Sequence, residues 1–230
     1  MSQRRKTPTK YTESVTPRPG SRLRHVRLGI ATEAARIIAV EGQDNYHAAK
    51  RKAAIRLGLS DRALPSNREV QEALQAYQDL FGGQQHSANL DHLRRTAADA
   101  MRLLHLFSPR LVGPVLDGTA RLHSRISLHV FSETFEHLLL HLLENGIAFD
   151  QQERRVRWYD GGYRTIPLLV IELHGTRTEL SIFSPVDLRQ APPSSIDGKP
   201  QQRASLAELE AMLTPAPVSH AGPARHRPVQ

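Results

Sequence analysis

The chain has 230 residues, 39% of them hydrophobic and 23% charged, and no cysteine, which excludes disulfides, a thiolate nucleophile and a cysteine-ligated zinc site. Its net charge of +8 is unevenly spread: residues 1–27 carry +7, the stretch after Leu213 carries +2, and the body between them is −1. No apolar run reaches the roughly 18 residues a membrane helix needs, and the basic N-terminus lacks the apolar stretch of a secretory signal, so a cytoplasmic protein with no membrane partner is expected.

Residues 1–20 hold Pro8, Pro17, Pro19 and Gly20 without hydrophobic periodicity and read as a disordered basic arm. Arg4, Arg5 and Lys6 are its candidate contacts to RNA or DNA; a solubilising tail is the plainer alternative. Residues 21–83 read as a helical unit. Ser21 can cap a helix to about Val40, with Leu23, Val26, Ile30, Ala34, Ile37 and Ile38 stepping by three and four. A second helix covers 46–57, with Tyr46, Ala49, Ala53 and Leu57 on one side and Arg51, Lys52 and Arg56 on the other. Those three cations are either phosphate contacts or a solvated face. Ser66 and Glu69 form a capping-box pattern for a third helix ending before Gly82-Gly83. The helical unit is also a candidate docking surface for a protein partner.

Residues 84–88 read as a linker, followed by a helix over 89–107 that buries Leu93, Ala97, Met101 and Leu104. The pattern then changes. Strands are expected at 110–116, 126–131, 153–159, 167–173 and 178–183, with a helix over 134–145. Residues 185–204 read as loop, Ser205 and Glu208 as a second capping box, and 214–230 as a disordered Pro-rich tail. The expected fold class is α+β: a helical N-terminal unit, then a mixed sheet of four or five strands with flanking helices over 89–213.

Gly113 to Phe131 reads GPVLDGTARLHSRISLHVF. This stretch resembles the signature of the DNA polymerase β-type nucleotidyltransferases, especially the minimal bacterial ones, whose pattern runs G-S-x-x-x-G-T-A-x-x-x-S-D-I-D-L. Gly113, Gly118, Thr119, Ala120, Ser124, Ile126 and Leu128 match at unbroken spacing. Pro114 replaces the serine, and Arg125 and Ser127 replace the two aspartates. The resemblance implies a nucleotide-binding cleft in which those aspartates and a third carboxylate on a later strand hold Mg²⁺ against a triphosphate. Here Glu172 or Glu179 is the candidate for the third position, while Arg125, Ser127 and His129 would share the cleft-facing side of the strand. Magnesium needs hard oxygen ligands, and arginine is a permanent cation that cannot ligate it. No catalytic residue, metal or cofactor is therefore expected. The implied role is a noncatalytic, regulatory protein binding a nucleotide or nucleic acid. A transferase with rearranged ligands and a protein-interaction module remain as alternatives. Arg125 itself can be read as a phosphate clamp or as a structural ion-pair partner.

The chain as a whole, through EAARIIAVEG, LPSNREVQEAL and LRQAPPSSIDGKP, is also similar to a proteobacterial family sometimes labelled UDP-N-acetylmuramate–alanine ligase. Such ligases need a phosphate-binding glycine loop, and no GxxxxGK[ST] sequence occurs here. His137 and His141 stand at i, i+4, a zinc-compatible spacing that lacks a third ligand.

Overall fold

A computed structural model describes residues 19–43 and 45–214; the expected phosphate contacts Arg4, Arg5 and Lys6 and the tail after Thr214 lie outside them. The chain divides into two compact units, Met1–Ala73 and Leu74–Gln230. The class is α+β, with a helical N-terminal region and a five-stranded mixed sheet with flanking helices.

In the first unit, α1 (Pro19–Glu41) packs on α2 (Tyr46–Arg56). Ile30, Ala31, Ala34, Ala35, Ile37 and Ile38 of α1 and Ala49, Ala53 and Ala54 of α2 are buried. The small alanines let the helix backbones approach closely. Leu23 and Leu57, expected on the buried faces, are instead about half exposed at 52% and 46%. The Asn45 side chain caps α2 by accepting from Ala48 N at 3.0 Å. The third helix, α3 (Asn67–Phe81), crosses the boundary between the units, and its expected capping box is present: Ser66 N donates to Glu69 Oε2 at 2.7 Å and Glu69 N to Ser66 Oγ at 3.2 Å. Lys50, only 8% exposed, donates to Pro65 O and Asn67 Oδ1, and burial holds its ammonium below the ordinary lysine range.

Residues 84–88 form no linker, because α4 (Gly83–Leu103) starts at once. The two glycines make a sharp corner instead. A Cβ on Gly82 would lie 2.4 Å from Gln78 O, and Gly83 has φ +56°. The following elements are β1 (Arg110–Val112), the short α5 (Pro114–Asp117), β2 (Ile126–Phe131), α6 (Phe135–Glu144), β3 (Phe149–Arg157), β4 (Tyr163–Leu173), β5 (Thr176–Phe183) and α7 (Leu206–Leu213). The first strand is shorter than expected because Pro114 starts a helical turn.

The sheet order is β1-β2-β5-β4-β3, with β2 and β5 parallel and all other neighbours antiparallel. Alternation along the strands gives it two unlike faces. On one, Leu111, Ile126, Leu128, Val130, Leu169, Ile171, Leu180 and Ile182 form a single core with residues of α4, α6 and α7. The other carries Ser127, His129 and Phe131 of β2 beside Glu179, Ser181 and Phe183 of β5. The stretch from Ser184 to Arg203 reaches this second face before Ala204 pairs with Leu111 at the β1 edge.

Candidate functional site

The loop between β1 and β2 depends on two glycine conformations. Gly113 has φ 74°, ψ −154°, a region open essentially to glycine alone, and Gly118 has φ 82°. Thr119 donates its N–H and its hydroxyl to Asp117 Oδ1, at 3.0 and 2.5 Å, and Ser124 Oγ accepts from Arg121 N at 2.8 Å. The matched polar side chains thus shape the loop itself. Its outward carbonyls are held from α3 and α4: Gln75 donates to Asp117 O, Gln78 to Thr119 O and Arg94 to Val115 O and Leu116 O, while His86 Nε2 lies 3.2 Å from Gly118 O. A cavity of about 670 Å³ lies against this clasp, lined in part by Gln75, Gln78, His86, Arg94 and Gly118.

Ser127 stands directly beside Glu179 in the parallel β2–β5 register. Glu179 is 2% exposed, so its carboxylate needs partners. Arg125, just before β2, reaches Glu179 Oε1 at 3.0 Å, and Arg154 of β3 pairs with Glu179 Oε2 from the other side. Arg154 also donates to Ser181 Oγ at 3.1 Å. Both guanidinium groups keep solvent contact, the Arg125 side chain being 60% and the Arg154 side chain 32% exposed. The result is a buried acid with two cations at its outer side, a locally positive cluster with N–H donors to spare.

Farther along the same face, His129 is 5% exposed and its Nδ1 accepts from Arg203 Nε at 3.0 Å, which places the neutral ring's proton on Nε2. Burial pushes the His129 ring down to about 3, and the nearby Arg203 and Arg154 charges add to the effect. Arg203 lies over the Phe131 and Phe183 rings and donates to the carbonyls of Asp187 and Leu188. Burial lowers its guanidinium to about 10, still charged at neutral pH. His129 is therefore a packed, neutral acceptor rather than a group facing a ligand.

The structure brings Arg125, Ser127 and Glu179 together. Glu172 shares their face but is exposed near the end of β4, opposite Arg177. Among the described residues no three His, Asp or Glu side chains converge as a metal site. His137 and His141 both pack edge-on against Phe107, and His141 Nε2 lies 2.9 Å from Leu103 O. On α2, Arg51 pairs with Asp61, Lys52 with Glu41, and Arg56 with Glu33 and Glu41. Those pairs lower the Glu41 carboxyl to about 2. The helix cations are thus engaged within their own unit. No helix of the described residues is long and apolar enough to cross a membrane.

Sequence reasoning missed Arg154, Ser181 and Arg203. Arg154 sits in the run ERRVR, where alternation alone says that Arg154 and Arg155 face opposite ways but not which one meets Glu179. Comparison with protein-family models, with curated proteins and with solved structures gives no match.

Proposed function

We propose that this chain is a noncatalytic, nucleotidyltransferase-like protein that binds the phosphates of a nucleotide or nucleic acid in a regulatory role. One observation carries the reading. Beside Ser127, where the resemblance implies metal-holding carboxylates, the single acid Glu179 is buried and capped by Arg125 and Arg154. A divalent cation approaching Glu179 meets two guanidinium charges, whereas a phosphate meets exposed N–H donors suited to bidentate contact. The order α4, β1, α5, β2, α6 and then the strands β3 to β5 supports the scaffold part of the reading, since helix, strand, turn, strand, helix and further strands is the order of the fold that the stretch resembles.

The test is equilibrium binding of a labelled nucleoside triphosphate and a labelled oligonucleotide to the full chain, together with a transfer assay in Mg²⁺ or Mn²⁺. The expected results are binding without transfer, and loss of about tenfold in nucleotide affinity in Arg125→Ala, the scale of a charge-assisted contact. Robust transfer, abolished by Glu172→Gln or Glu179→Gln, would establish a transferase with rearranged ligands. Absence of binding to either ligand would also overturn the proposal.

A further inference from the structure

The β3–β4 ribbon extends past the sheet. Pairing of β4 with β5 spans Leu168 to Leu173, but its pairing with β3 continues to Arg157↔Tyr163. Pro167 stands where the β5 ladder stops and has no N–H to donate to it. The projecting part, residues 153–167, has one packed and one bare face. Val156, Trp158 and Ile166 pack with Phe131 and Phe183. On the opposite side Arg155, Arg157, Tyr163 and Thr165 alternate along the two strands, and all four are exposed.

The bare face has a definite chemistry. Tyr163 is 61% exposed, far more than a ring used for packing. The Arg155 guanidinium lies 4.8 Å from its ring centroid, and Arg157 is its register partner on β3. Neither arginine forms an ion pair among the described residues. Glu153 is the acid on this side of the ribbon; Asp160, in the turn, accepts from Gly162 N instead. An accessible ring between cations fits an unpaired base stacked on the ring with its neighbouring phosphates on the guanidinium groups. A base inside a duplex has no face available for this contact. A membrane surface would match the charge but leave a single tyrosine as its apolar anchor, and an acidic peptide would leave the ring without a stacking partner.

We infer that the bare face of the β3–β4 ribbon, Tyr163 flanked by Arg155 and Arg157, is a contact surface for single-stranded nucleic acid. It is separate from the Arg125–Arg154 cluster, so either proposal can fail alone. Full-length protein is titrated into fluorescent oligo-uridylate, oligo-thymidylate and a duplex of equal length, at physiological and at raised salt. Single strands are expected to bind more tightly than the duplex. Tyr163→Ala is expected to lose about tenfold in affinity, within the range for one stacked base, while Tyr163→Phe keeps it. Arg155→Ala with Arg157→Ala should flatten the dependence on salt by about two phosphate contacts. Nucleoside triphosphate binding, measured in parallel, stays at the wild-type level in Tyr163→Ala, and unchanged Trp158 fluorescence reports an intact ribbon. Equal binding of duplex and single strand, or a Tyr163→Ala affinity equal to wild type, would overturn the inference. Competition by polyglutamate or anionic vesicles as effective as that by unlabelled strand would do the same.

Discussion

The two faces of the sheet come from the same strands and differ at every second residue. On the helix side the inward positions of β2 are Ile126, Leu128 and Val130, which belong to the apolar core. On the opposite side the same strand offers Ser127, His129 and Phe131, which meet Glu179, Arg203 and Phe183. The first face is held by area removed from water, which is indifferent to orientation. The second combines an apolar patch of Phe131, Trp158, Ile166 and Phe183 with directional contacts at Glu179, His129 and Arg203. Along β2, apolar burial and the ion-paired cluster therefore fall on opposite strand parities.

The largest effect is expected on the helix side. Leu128→Ala, at a fully buried core position, should cost about 3–5 kcal/mol in chemical denaturation and leave nucleotide affinity of the folded fraction unchanged. On the second face, Glu179→Ala should cost less, about 2–3 kcal/mol, since its arginine partners keep solvent contact and are not stranded in the interior. That variant should also bind phosphate ligands more tightly, because it leaves two cations without their acid. A core-sized loss with no gain in affinity would mean that the cluster serves packing alone.

The third effect depends on pH. The His129 ring is held far below its ordinary 6.5, at about 3, so the folded protein disfavours the charged ring. Between those values the unfolded chain binds a proton that the folded chain does not, so stability is complete above pH 6.5 and is lost as pH falls. The slope attributable to one such group is about 1.4 kcal/mol per pH unit. Denaturation of wild type and His129→Gln at pH 7 and pH 5 should show the wild type losing more. Parallel losses in the two proteins would show that His129 titrates normally in the folded state.

The helix-side face was legible in the sequence because periodicity reports burial directly. Leu93, Ala97 and Met101 of α4, Leu104 at its C-terminal cap, and the alternation across 126–131, stand as read. Both capping boxes were equally local and equally visible. The Gly82-Gly83 pair misled: glycine signals a break in a helix, but whether a corner or a linker follows depends on what a Cβ would strike, here Gln78 O. β3 and β4 each begin four residues before their expected starts, at Phe149 and Tyr163. Pairing along the β3–β4 hairpin, from Phe149↔Ile171 to Arg157↔Tyr163, decides those ends, not local composition. The same applies to the site. Glu179 was visible as a candidate acid, but its capture by Arg154 depends on β4 lying between β3 and β5, which no local pattern encodes.

Calorimetric titration of the full chain with a nucleoside triphosphate, first in excess EDTA and then in Mg²⁺, tests the central claim most directly. If Arg125 and Arg154 receive the phosphates in place of a metal, affinity in EDTA should equal or exceed that in Mg²⁺, because the uncomplexed ligand carries more negative charge to the cluster. Binding that appears only when Mg²⁺ is present would contradict the account, since it would require a cation bridge that the buried, doubly paired Glu179 has no room to anchor.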